Sequence, residues 1–130
     1  MNTTTMNTIS DQPGYVYLLH FEQPIAPGRH TAQHYIGHAD DLAARIQTHE
    51  RGRRYNGLGN PTGCARIVEV AKERGITFRV ARVWRGGYEL ERKLKARKNA
   101  PILCPICNPT ARVGLFELTA GQINEQLMPF

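Results

Sequence analysis

Three scarcities in this chain each remove a class of protein. Cysteine occurs three times, too few and an odd number for the disulfide framework of a secreted domain. No stretch approaches the roughly 20 apolar residues that a membrane-spanning helix needs. The opening MNTTTMNTISDQPG is polar and threonine-rich, without the basic and apolar blocks of a secretory signal. The expected setting is cytoplasmic and reducing, with no membrane. Negative charge is also in short supply: 11 acidic residues face 17 lysines and arginines, for a net charge of +6. Such an excess suits an anionic partner, of which DNA or RNA is the commonest soluble kind. A merely basic surface is the bland alternative.

What is present suits one small domain. With 130 residues, 41% of them hydrophobic, a single modest core can form. Residues 1–12 carry too little apolar surface to offset ordering entropy and are expected to be a disordered tail. Residues 13–110 should form the domain, and 111–130 an extension with a short helix. Tyr15–Phe21, YVYLLHF, predicts a strand with Tyr15 and Tyr17 on one face and Val16 and Leu18 on the other. A proline-containing loop, Glu22–Ala32, leads to a second strand over Gln33–Gly37, where the chain is expected to turn. Asp40 can then cap a helix to Glu50, with Leu42 and Ile46 inward and Arg45 and His49 one turn apart on a flank.

The basic run Arg51–Gly57 reads equally as a solvated linker or a phosphate-contacting loop. Pro61–Arg74 predicts a second helix, with Cys64, Ile67, Val68 and Ala71 on one stripe and Gly75 as its stop. Ile76–Trp84 alternates up to Val80 and then shifts phase, as does a strand with a bulge or one covered on both faces near its end. Tyr88–Lys98 predicts a third helix, with Leu90 and Leu94 inward and Glu91 and Lys95 on a neighbouring flank. The proline-rich Pro101–Pro109 is expected to be extended. Arg112–Leu118 could add a short strand, and Thr119-x-x-Gln122 is a capping box opening a last helix to Leu127. This order implies an α+β fold, a small three-stranded antiparallel sheet flanked by helices.

Several residues could share one chemistry. Hydrolysis of a phosphodiester needs an activated water, positive charge on the phosphoryl oxygens and help for the leaving oxygen. A tyrosine becomes a general base only when nearby cations lower its phenol pKa, and Arg45, His49 and a metal ion would supply that field. Arg45 suits a non-bridging phosphate oxygen. Glu91 could hold one Mg²⁺ that keeps most of its waters. Singly, each has a plainer reading. The tyrosines could be ordinary strand aromatics, Arg45 a partner of Asp41, His49 a complement to the helix dipole, and Glu91 a surface partner of Lys95.

Together, Tyr15-Val16-Tyr17, Tyr35-Ile36-Gly37, Arg45-x-x-x-His49, Glu91-x-x-Leu94-Lys95 and Cys107-Asn108-Pro109 form an ordered signature. It resembles the GIY-YIG nuclease superfamily from Tyr15 to Asn108. The resemblance implies catalytic roles for Tyr17, Tyr35, Arg45, His49, Glu91 and Asn108. Tyr17 would be general base, Arg45 would contact phosphate, Glu91 would bind the metal, and Asn108 would close the site. It also implies a Mg²⁺- or Mn²⁺-dependent endonuclease acting on DNA, with a three-stranded antiparallel sheet. Three features depart from the pattern: Tyr15 stands where glycine is usual, the loop between the tyrosine motifs is long, and the span from Glu91 to Asn108 is somewhat long. The rivals are a non-cutting nucleic-acid-binding module of the same fold and a zinc-stapled interaction protein.

Cys104-Pro105-Ile106-Cys107 is half of a zinc site. Cys64 and the histidines 20, 30, 34, 38 and 49 form no clear second pair in the sequence, so the two cysteines are expected to be structural, without metal. Pro105 and Pro109 argue against a redox pair opening a helix.

Overall fold

The computed structural model describes residues 14–25, 32–51, 54–55, 61–62, 65–111 and 117–127. The expected tail, Cys64 and most of the Arg51–Gly57 loop lie outside them. Strand β1 (Tyr15–Phe21) is buried on both faces from Val16 onward, so it can be stable only at the centre of a covered sheet. It has that place. Strand β2 (His34–Ala39) pairs antiparallel along one side of it, with Tyr17 opposite Gly37, Leu19 opposite Tyr35 and His20 opposite His34. The turn expected at Gly37 is absent, because Gly37 lies inside the ladder and the strand continues to Ala39. Helix α1 (Leu42–Arg51) consequently starts late. Its cap is Asp41 instead of Asp40: the Ala44 N–H donates to Asp41 Oδ1 at 3.0 Å.

A two-stranded ribbon follows, β3 (Arg54–Tyr55) with β4 (Pro61–Thr62). That pairing takes residues expected to begin the next helix, so α2 spans only Arg66–Glu73. It ends as expected at Gly75, whose φ of +72° is left-handed. The Gly75 N–H donates to Lys72 O and the Ile76 N–H to Ala71 O, the two bonds of a Schellman stop. Strand β5 (Phe78–Arg85) pairs antiparallel with the other side of β1, giving the sheet order β2-β1-β5. Leu18 faces Arg82 and Leu19 faces Val80, so Ala81 is an extra residue, and of the two readings of the phase shift the bulge is the one found.

Helix α3 (Tyr88–Arg97) leads into a short helical turn, α4 (Ala100–Leu103). The proline-rich segment is thus not extended. Pro101 sits in the first turn of α4, where a missing N–H costs nothing, and the chain then turns again around Pro105–Cys107. Glu117 makes a single bridge to Trp84, the described remnant of the strand expected at Arg112–Leu118. Helix α5 (Ala120–Leu127) opens on the capping box read from the sequence. The Thr119 N–H donates to Gln122 Oε1 at 2.8 Å, and the Gln122 N–H to Thr119 Oγ1 at 3.2 Å.

The sheet therefore has two covered faces. Tyr17, Leu19 and Phe21 pack with Leu42 and Ile46 of α1, Val68 and Ala71 of α2, and Ile123 of α5. Val16, Leu18, Ile36 and Trp84 pack on the opposite face with Leu94 of α3 and Cys104. The result is an α+β fold around a three-stranded antiparallel sheet. No helix among the described residues is long and apolar enough to cross a membrane.

Candidate active site

The β1–β2 register sets Tyr17 across from Gly37 and Tyr35 across from Leu19, so both phenols project from one face of the hairpin. They crowd over Gly37. A Cβ there would lie 2.6 Å from Tyr17 Oη and 2.8 Å from Tyr35 Cε2, and the missing side chain is what admits both rings. Helix α1 crosses the same face and delivers Arg45 and His49 from successive turns. Tyr17 Oη lies 2.6 Å from His49 Nε2 in a fully buried contact. The His49 ring is 5.6 Å from that of Tyr17 and 5.7 Å from that of Tyr35. Arg45, half-buried, hydrogen-bonds to both phenols.

Burial governs the protonation of this group. It pushes the Tyr17 phenol well above its usual value, against the opposing pull of the Arg45 hydrogen bond. Of the cations expected to lower that phenol, Arg45 is outweighed by burial. Burial, and then the charge of Arg45, depress His49 to about 4. Burial also works against the charge of Arg45, but the bonds to Tyr17 and Tyr35 prevail and raise its pKa. At neutral pH the arrangement is therefore a protonated Tyr17 donating to a neutral His49 Nε2. The His49 proton then sits on Nδ1, which is buried with no hydrogen-bond partner among the described residues.

Glu91 arrives from the other side. Helix α3 packs on the Val16/Leu18/Ile36 face, and its Glu91 is buried, not the exposed member of a surface pair. Oε1 lies 2.5 Å from His38 Nδ1, and Oε2 lies 2.9 Å from Lys95 Nζ. His38 follows Ile36 on that face at the strand period, the one sequence signal that could have paired it with Glu91. The two sides meet around β2, an edge strand, where Lys95 Nζ stands 5.2 Å from the centre of the Tyr35 ring. One buried hard carboxylate suits Mg²⁺. The half-exposed Lys95 can swing from Oε2 and leave that oxygen to a cation, exchanging one positive charge for another. Asn108 is not brought to this group by any described contact. Its Nδ2 donates to Ile102 O and its Oδ1 accepts from Thr110 Oγ1, both at 2.7 Å, within its own turn.

A second polar cluster lies on the Val16/Leu18 face. His20 and His34, cross-strand neighbours, meet Cys104 and Cys107, and their four ligand atoms lie within 4.8 Å of one another. The second ligand pair, absent as a motif in the linear sequence, is therefore supplied by β1 and β2. Comparison with known proteins finds no matching family model, curated protein or solved structure.

Proposed function

We propose that this chain is a small GIY-YIG-type endonuclease that hydrolyses DNA phosphodiester bonds with one divalent metal. The observation that carries this reading is the convergence of Tyr17, Tyr35, Arg45 and His49 over Gly37. These are the motif residues the resemblance ties to catalysis, and they arrive from two strands and a helix. The net charge of +6 favours a polyanionic substrate.

In this mechanism Arg45 binds a non-bridging oxygen of the scissile phosphate. The phosphate charge cancels part of the repulsion that depresses His49, so the imidazole becomes a better proton acceptor as substrate binds. Water attacks phosphorus, and its proton passes to Tyr17 Oη while the Tyr17 proton moves to His49 Nε2. The relay needs no free phenolate, consistent with a phenol held protonated by burial. Tyr35, half-buried beside Tyr17, orients the water. The bond to the 3′ oxygen breaks, and that oxygen takes a proton from solvent. Mg²⁺ or Mn²⁺ at Glu91 would supply positive charge for the departing oxygen.

The alternative, a DNA-binding module that does not cut, is favoured by two facts. Tyr17 has no exposed surface, and both oxygens of Glu91 are engaged. Incubation with plasmid, branched and single-stranded DNA, with Mg²⁺ or Mn²⁺ and then with EDTA, separates the two. Metal-dependent cleavage abolished by EDTA supports the enzyme. Tight binding without cleavage on every substrate leaves the module.

A further inference from the structure

The Cys104–Cys107 motif takes no part in that chemistry, yet it is bound into the fold more firmly than a surface turn requires. Cys104 is fully buried. The Asn108 N–H donates to Cys104 O at 2.7 Å, which closes the turn. Just before it, Leu103 O accepts from the Arg82 guanidinium at 2.8 Å, and Arg82 is itself clamped by both oxygens of Glu117. On the facing side, His20 and His34 are fixed opposite each other by the β1–β2 ladder. Three segments distant in sequence thus hold four side chains around one point.

Hydrogen bonding does not account for the arrangement. His20 Nδ1 is 3.4 Å from His34 Nε2, 3.6 Å from Cys104 Sγ and 3.6 Å from Cys107 Sγ. Cys107 Sγ is also 3.4 Å from His34 Nε2. A ring nitrogen has one hydrogen or one lone pair in the ring plane and can satisfy one such neighbour, not three. A central ion satisfies all four. Zinc binds nitrogen at about 2.0–2.1 Å and sulfur at about 2.3 Å, which puts the edges of its tetrahedron at about 3.4 Å for N···N and about 3.6 Å for N···S. The four separations above lie close to those edges, and all four ligand atoms lie within 4.8 Å of one another. Two thiolates with two imidazoles in a tetrahedron are a donor set that selects zinc over the harder divalent cations.

We propose that His20 Nδ1, His34 Nε2, Cys104 Sγ and Cys107 Sγ hold one zinc ion, which staples the Cys104–Cys107 turn to the β1–β2 hairpin. All four positions are filled by protein, so the site is closed and structural. Cys107 is exposed and gives the ion its way in. The proposal is independent of the nuclease reading, since none of these residues belongs to the candidate active site.

The test begins with full-length protein purified without added metal. Elemental analysis should find one zinc ion per chain. Exchange for Co²⁺ should produce the intense visible bands of a tetrahedral site and the near-ultraviolet thiolate charge-transfer band. Cys107→Ser, at the exposed ligand, should lose both the zinc and the cobalt spectrum. The melting temperature of the parent protein should drop on treatment with a strong chelator and return when zinc is restored. Chelator and zinc acting on the parent chain keep the test decisive should the variant fold poorly. Folded parent protein with no zinc and no tetrahedral cobalt spectrum would overturn the proposal. So would undiminished zinc in Cys107→Ser. Neither result depends on DNA cleavage being observed.

Discussion

The two faces of the β1–β2 hairpin carry polar clusters assembled in opposite ways. On the Tyr17 face, two tyrosines, an arginine and a histidine come from a short stretch of chain and a pair of adjoining strands. Their hydrogen-bonding atoms form a path along which a proton can move, and burial sets which atom holds it. On the His20 face, the same two strands supply His20 and His34, a turn far along the chain supplies Cys104 and Cys107, and the four ligand atoms surround a point. One cluster has protons to move and the other has lone pairs to fill. Damage to the first should therefore appear mainly in acid sensitivity and rate, and damage to the second in metal content and stability. Four sets of variants can break that division.

The largest expected effect is on stability at acid pH. His49 titrates near 6.5 when unfolded and near 4 in the fold. Between those values the unfolded chain binds the extra proton. The contribution is therefore complete above pH 6.5 and is lost as pH falls through 4, by roughly 3 kcal/mol. His49→Gln keeps an acceptor for Tyr17 and removes the titration. Its stability should fall less steeply than the parent's over that window in denaturant melts. Parallel slopes would show that His49 is not held neutral by its surroundings.

Next in size is the rate effect of Glu91→Gln. Replacing a carboxylate that acts on developing charge should cost on the order of 10²-fold or more in cleavage. Affinity for DNA, carried by many lysines and arginines, should hardly change. Arg45→Ala should differ by weakening binding as well. Cleavage by Glu91→Gln at the parental rate would mean that Glu91 serves only its contacts with His38 and Lys95, and the proposed mechanism would fail.

Gly37→Ala should destabilise by about 1–3 kcal/mol, the usual cost of overpacking. The new methyl would meet Tyr17 Oη and Tyr35 Cε2. Because the methyl points to the tyrosine face, zinc content should survive while cleavage drops. Loss of zinc in this variant would show that the two faces are not separable.

How far each cluster could be read in advance follows from the distance over which its parts are set. Tyr15–Phe21, the Gly75 stop, the bulge at Ala81 and the Thr119/Gln122 box were all legible, because each depends on a few neighbouring residues. The tyrosine–arginine–histidine group was legible through motif order, although not its protonation, which burial decides. Asp41 displaced Asp40 as cap because β2 runs past Gly37 to Ala39. The Pro101 segment coiled into a helical turn because proline is harmless at a helix start. The burial of Glu91 and its pairing with His38 needed the crossing of α3 over β2. The zinc-like cluster needed more still. Once Tyr17 is set opposite Gly37, the ladder places His20 opposite His34, but nothing local in the sequence reveals that register.

The smallest expected effect comes from Thr119→Ala, and it tests whether support for the tyrosine face can be weakened from a distance. Thr119 and Gln122 satisfy each other's backbone N–H groups at the start of α5. Removing the hydroxyl leaves the Gln122 N–H without its cap and should cost about 1 kcal/mol. Helix α5 contributes Ile123 to the core that contains Tyr17, Leu42 and Ile46, and it packs against α1, the helix that carries Arg45 and His49. The lost stability should therefore appear as a slightly lower melting temperature. The zinc and cobalt signals should be unaltered, since no ligand touches α5. The rate should hold at temperatures well below melting, because no group that meets substrate has changed. A variant that keeps its melting temperature would show that the capping box adds nothing to the fold. One that melts normally but cuts slowly would mean that α5 positions α1 and is part of how the site is held.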